Sequence, residues 1–102
     1  MSGFARGILR MDVKLAFGKA LRQIRKARGM TQEAFEPGVV RTYISALERG
    51  IHSPTLERIV ELAALLNVSS AALLTLTAFY EQDSQDSASF LNELCEDVCN
   101  WI

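Results

Sequence analysis

Residues that end helices recur at short intervals through the first two thirds of this chain, and they confine it to short helical segments. Gly29, the pair Pro37-Gly38, Gly50 and Asn67 are the stops. Gly ends a helix through a left-handed C-terminal cap, and Pro does not continue one. Between the stops the apolar residues recur at three- and four-residue steps, the helical period. The first segment runs from about Asp12 to Arg28, with Val13, Phe17, Ala20, Leu21, Ile24 and Ala27 on one face. Arg22, Arg25, Lys26 and Arg28 crowd its last turns, where cations complement the helix dipole. They solvate the helix there, and one or two are placed to reach phosphates. Thr31 is the expected N-cap of a second, very short helix, with Glu33 in its first turn and Phe35 pointing inward.

The third segment, Val39 to Gly50, reads V-V-R-T-Y-I-S-A-L-E-R-G. Val40, Ile44 and Leu47 form its inner stripe, which leaves Arg41, Thr42, Ser45 and Ala46 on the outer faces. Ser53-Pro54 reads as N-cap and first-turn Pro of a fourth helix that reaches Leu66 and buries Leu56, Ile59, Leu62, Ala63 and Leu66. Ser69 caps a fifth, carrying Ala72, Leu73 and Leu76; Thr75 to Tyr80 is the one stretch of strand-like composition, with extension of this helix as the alternative. Glu81 to Ser87 is a polar linker. A final amphipathic helix spans about Ala88 to Trp101, with Phe90, Leu91, Leu94, Cys95, Val98 and Ile102 on one side. No alternating strand pattern competes. The expected fold is all-α: a five-helix domain followed by a C-terminal amphipathic helix.

A chain of 102 residues holds one compact domain. No apolar run approaches the roughly 18 residues of a membrane span. The first ten residues lack the apolar core and cleavage site of a secretory signal, so a cytoplasmic protein is expected. Met11 is an alternative start, which would make the first ten residues a flexible arm or a start-site artefact. All 11 Lys and Arg fall in residues 1–60 against five acids, a net of +6, whereas residues 61–102 hold seven acids and no Lys or Arg. Such a split points to a basic binding half joined to an acidic half with another job.

The chemistry of the third segment narrows the binding class. A helix that exposes one fork-shaped donor, Arg41, among small side chains suits a groove, because nothing bulky blocks its approach to base edges. Catalytic chemistry finds no support: a single His with no convincing nucleophile beside it does not make a triad, and no Gly-rich loop is spaced for phosphate. Cys95 and Cys99, one turn apart, make a poor metal site without further ligands. They are expected as small buried hydrophobes, with an intermolecular disulfide or a redox switch as the alternatives. No metal or cofactor is implied.

The motifs, taken in order, resemble the lambda-repressor-like helix-turn-helix family, also called the XRE family. They are Arg22-Gln23-Ile24-Arg25, Thr31-Gln32-Glu33, Gly38, Arg41 to Ser45, Glu48 to Gly50, and Pro54 to Leu56, and the resemblance covers roughly residues 14–76. One departure stands out. Gln32 to Ile44 spans 12 positions where the family has 14, so helix two is short by about half a turn, and Phe35 and Val39 fill the space a longer helix would occupy. The resemblance implies that the start of the third helix enters the major groove while helix two crosses the backbone. Arg41, Thr42, Ser45 and Ala46 become the base-reading set. Arg41 matches guanine O6 and N7, a contact worth about 1–3 kcal/mol of discrimination. Thr42 meets a thymine methyl or a base acceptor, or else helps cap a helix that has Val40 where the family often has Ser. Gln32, Tyr43, Arg49, His52 and Ser53 become phosphate contacts. Arg49 has an alternative as a surface partner of Glu48 or Glu57, and His52 as a solvated loop residue.

The resemblance therefore implies a sequence-specific regulator, a repressor binding double-stranded DNA as a homodimer over a palindromic operator. Leu91, Leu94, Val98 and Trp101 of the last helix are the dimerisation candidates, against simple packing on their own domain. The expected organisation is an arm at 1–11, a DNA-binding domain at 12–78, and an acidic linker and helix at 79–102. The alternative is an interaction module such as an antitoxin, whose acidic half holds a protein partner.

Overall fold

Short helices need capped ends, and the ends here show where each begins and stops. In the computed structural model, residues 12–83 and 86–102 are described. The expected N-terminal arm and the middle of the polar linker lie outside them. Helix α1 is Val13–Ala27, opened by the Asp12 carboxylate, which accepts the Lys14 N–H at 2.8 Å. A single 3-10 turn, Gln32–Phe35, follows. Then come α2, Arg41–Glu48, and α3, Leu56–Leu66. Helix α4 is Ser70–Glu81 and α5 is Ser87–Cys99. No strand occurs among the described residues.

Three of the expected stops share one geometry. Gly29, Gly50 and Asn67 all have positive φ, and the chain folds back at each through paired bonds. Met30 N–H donates to Arg25 O, Ile51 N–H to Ala46 O and Val68 N–H to Ala63 O, all at 3.0 Å. This is the Schellman closure. Gly38 differs, since its φ is not positive; the chain there passes through a cis Glu36–Pro37 peptide.

The second element is shorter than expected. It is one 3-10 turn in place of a helix, and the Thr31 hydroxyl makes no cap bond. Phe35 and Val39 are nevertheless buried, as the shortened spacing requires. Helix α3 starts at Leu56 because the Thr55 hydroxyl, and not Ser53, accepts the Arg58 N–H. Ser69 caps α4 as expected, by accepting from Ala72 N–H at 3.0 Å. Asp86 caps α5 by accepting from Ala88 N–H and from the Ser89 hydroxyl, and the Ser89 bonds hold its carboxyl below the ordinary range.

The core combines Phe17, Ala20 and Leu21 with Phe35, Val39, Ile44, Leu47, Ile59, Leu62, Ala63, Leu66 and Leu73. Sequence periodicity carried the apolar faces one residue too far. Val13 and Ala27 are exposed, and they are the first and last residues of α1. Leu56, first in α3, is 72% exposed. Val40 is exposed because it is the extended N-cap of α2, outside the helical period, and Val39 points inward instead.

Two contacts fix α2 against α1. Gly18 is the closer one: a Cβ there would lie 2.4 Å from Leu47 O and 2.7 Å from Glu48 O. The other is ionic. Arg25 Nε donates to Glu48 Oε2 at 2.6 Å and Nη2 to Oε1 at 3.0 Å, while Nη1 donates to Met30 O at 2.8 Å. Gln32 Nε2 adds a bond to Glu48 Oε1 at 3.1 Å. The side chains are only 9% and 5% exposed. Donating to the Glu48 carboxylate holds the pKa of the Arg25 guanidinium above its ordinary value.

Both contacts are open to test by urea unfolding. Gly18→Ala gains up to about 1 kcal/mol of helix propensity but drives a methyl into backbone carbonyls that cannot turn aside. The clash wins, and we expect a net loss of about 1–3 kcal/mol. Glu48→Ala leaves Arg25 buried without its counter-charge, which costs about 3 kcal/mol; an unchanged midpoint would show that water replaces the carboxylate freely.

Candidate nucleic-acid interface

Most of the circumference of α2 is covered. Ile44, Ala46 and Leu47 are buried, Tyr43 is half-buried, and the Glu48 side chain faces Arg25. The open arc carries Arg41, Ser45 and Arg49, spaced four apart so that they form one ridge, with Thr42 beside them. Arg41, Thr42 and Arg49 are exposed and Ser45 half-buried.

Ala46 does not belong with them. It is only 7% exposed, and the Schellman closure explains why. That motif brings the residue after the glycine back against the helix, here Ile51 onto the Ala46 turn. Of the four residues expected on the outer face, Arg41, Thr42 and Ser45 remain accessible.

The start of α2 is built from the segment before it. Val40 offers no side-chain cap, and the Glu36 carboxylate takes that place by accepting Arg41 N–H at 3.0 Å. Arg41 Nη1 donates to Gln32 Oε1 at 3.4 Å, and Arg41 Nε lies 3.8 Å from Glu33 Oε2. Gln32, assigned to phosphate from the sequence, thus bridges Glu48 and Arg41 with the two ends of its amide.

The flank of α2 carries a second cluster. The Tyr43 ring stacks with the His52 ring at 6.2 Å between centroids and 18° between planes. The Arg58 guanidinium carbon lies 5.1 Å from the Tyr43 centroid, a cation–π distance. His52 and Ser53 are exposed. Arg49 Nε donates to Ser45 O at 3.3 Å and makes no pair with Glu48, which is engaged by Arg25. Sequence reasoning missed Arg58 and Glu36. The only signals were a cation in the first turn of α3 and an acid five residues before Arg41.

The basic end of α1 is less available than its composition suggests. Arg25 is internal, and Arg28 donates to Leu66 O at 3.1 Å and Asn67 O at 2.9 Å, closing α3. Arg22 and Lys26 are exposed.

At the far end, α5 is anchored by Phe90, which meets Phe79 edge-on at 5.3 Å. An apolar groove of about 460 Å³ runs between α4 and α5, lined by Ala72, Thr75, Leu76, Phe79, Phe90 and Leu91. Leu91, Val98, Trp101 and Ile102 are exposed and Leu94 is half-buried. Cys95 and Cys99 are free and exposed, not buried as expected, because only the Phe90 end of α5 is sunk into the domain. Among the described residues no three His, Cys, Asp or Glu side chains are placed to hold a metal. Nor is any single described helix long and apolar enough to cross a membrane.

Comparison with known proteins adds the family. The family described as HTH_3, helix-turn-helix, matches residues 21–73. An uncharacterized HTH-type transcriptional regulator, y4dJ of Sinorhizobium fredii, is 39% identical over 69 residues, covering 66% of this chain and 90% of that one. Control protein C.BamHI of Bacillus amyloliquefaciens is 41% identical over 69 residues, covering 65% and 85%. Among solved structures, the clp gene regulator ClgR of C. glutamicum superposes with a TM-score of 0.67 at 28% identity, over 72% of this chain and 97% of that one. The restriction-modification controller protein C.AhdI of Aeromonas hydrophila does so at 0.56 and 34%, over 59% and 94%. With an all-helical fold and an exposed ridge on its third helical element, the chain belongs to the XRE-type helix-turn-helix family of DNA-binding transcriptional regulators.

Proposed function

We propose that the chain reads a two-fold operator as a homodimer and acts there as a repressor in the cytoplasm. Residues 12–78 form the DNA-binding domain and residues 79–102 the dimerisation element. The observation that carries the reading is the Arg41–Ser45–Arg49 ridge, the open arc of an otherwise covered helix. Arg41 takes a guanine edge, Thr42 a thymine methyl or acceptor, and Ser45 an adjacent base. Tyr43, Arg49, His52 and Ser53 lie against phosphate, with Gln32 acting through Arg41 and Glu48. Two half-sites about 34–36 Å apart fit the two-fold arrangement.

Titration against operator and random duplex over a range of salt tests this directly. Random-duplex affinity falls steeply as salt rises, because phosphate contacts release counterions. Arg41→Ala lowers the operator-to-random ratio by about 10-fold or more, the scale of one bidentate base contact, with the circular dichroism unchanged. Unaltered selectivity would remove Arg41 from base reading, and no binding at low salt would remove the DNA-reading role.

The dimer reading rests on the exposed apolar residues Leu91 and Val98 of α5 and Trp101 just after it, with Leu91 also lining the α4–α5 groove. Leu94→Asp shifts the sedimenting species from dimer to monomer. A wild-type monomer would favour the other occupant of this face, a protein partner such as that of an antitoxin.

A further inference from the structure

The reading ridge begins between two carboxylates that a DNA-binding role leaves unexplained. Glu33 Oε2 lies 3.8 Å from Arg41 Nε, and Glu36 Oε2 accepts the Arg41 N–H at 3.0 Å. Both glutamates are exposed. A DNA-facing surface gains affinity from cations and from open helix N-termini, because phosphate binds to each. Here the N-terminus of α2 already holds a carboxylate, and the guanidinium beside it is shared with another.

We infer that Glu33 and Glu36 set the selectivity of this chain by opposing phosphate contacts at the start of α2 and confining Arg41 to base edges. The inference rests on the DNA-reading role proposed for α2. Arg41 has five N–H donors, of which Nε faces Glu33 and one Nη1 hydrogen faces Gln32. The three that remain, two on Nη2 and one on Nη1, include the terminal fork that matches guanine O6 and N7. A guanine edge is a neutral pair of acceptors, so it meets that fork with little opposition from Glu33. A phosphate approaching the same fork brings a negative charge within a Debye length, about 8–10 Å, of both glutamates. The start of α2 offers a phosphate less compensation, since Glu36 already occupies its first N–H. The pair therefore penalises the sequence-independent mode of binding more than the base-reading mode. It acts as a selectivity device and weakens total affinity in doing so.

Glu33→Gln and Glu36→Gln test the inference, since each keeps the side-chain shape and a carbonyl acceptor while removing the charge. We expect each to raise affinity for random duplex by about three- to fivefold, the scale of one exposed charge pair. Operator affinity changes less, so the operator-to-random ratio falls. The plot of log affinity against log salt for random duplex steepens by about one unit as Arg41 gains a phosphate. In an Arg41→Ala background Glu33→Gln no longer steepens it. Equal strengthening of operator and random duplex, or no change in either, overturns the inference, as does a steepening that persists without Arg41. Circular dichroism confirms that each variant folds. A wild-type chain with no operator preference is a separate result, since it overturns the reading of α2 itself.

Discussion

The bidentate pair between Arg25 and Glu48 is the constraint on which the position of α2 depends. It joins the last turn of α1 to the last turn of α2, and through Gln32 it also holds the 3-10 turn. A buried ion pair is a poor source of net stability, because removing both charges from water costs about as much as their attraction returns. Its value lies in geometry. The Arg25 fork donates to a carboxylate in one plane and one register, so α2 cannot slide along α1 without leaving a charge unpaired. Gly18 supplies the complementary condition, letting the carbonyls of Leu47 and Glu48 approach α1 closely enough for the pair to form. One contact sets how near α2 lies and the other sets where along α1 it stops. The exposed ridge inherits its placement from both.

The shortened second element fits the same logic. A full helix there would occupy the space that Phe35 and Val39 fill, and both are nearly inaccessible. Compression to one 3-10 turn leaves its polar residues on the side of α2. Gln32, Glu33 and Glu36 all contact Arg41 or its backbone as a result. The half-turn lost from the family spacing thus surrounds Arg41 with acceptors as well as shortening a helix.

What was legible in the sequence follows the range of the interactions involved. The stops at Gly29, Gly50 and Asn67 were readable because a left-handed residue is a local requirement. The inward role of Phe35, Ile44 and Leu47 was readable from period. Arg25 was read as a dipole partner or phosphate contact, since nothing near it in sequence reveals a carboxylate 23 residues away. Ala46 was misplaced for a related reason. Its position on the helix wheel is outward, and its burial comes from the chain folding back at Gly50. Leu56, Val13 and Ala27 show the limit of periodicity at helix ends, where the layer that would cover them has already stopped. Cys95 and Cys99 lie on the apolar side of α5 by spacing, yet only the Phe90 end of that helix reaches the core.

Charge shows the largest gap between composition and structure. The first sixty residues carry a net of +6, which by itself suggests a strong field toward DNA. Structure subtracts from that. Arg25 is neutralised inside the domain, and Arg28 is spent on the carbonyls that end α3. Arg58 pairs with Glu61 at 2.7 Å, and Arg41 is shared with Glu33. Lys19 lies over the Tyr80 ring at 4.3 Å, and that tyrosine is hydrogen-bonded to Gln23. Among the nine cations of the described residues, Arg25, Arg28, Arg41, Arg49 and Arg58 therefore face a carboxylate or a carbonyl before any nucleic acid arrives. Cations committed in this way gain less from phosphate than free ones. Under the DNA-reading role proposed above, preference among duplexes comes from the few side chains on the open arc of α2, where Arg41, Thr42 and Ser45 stand.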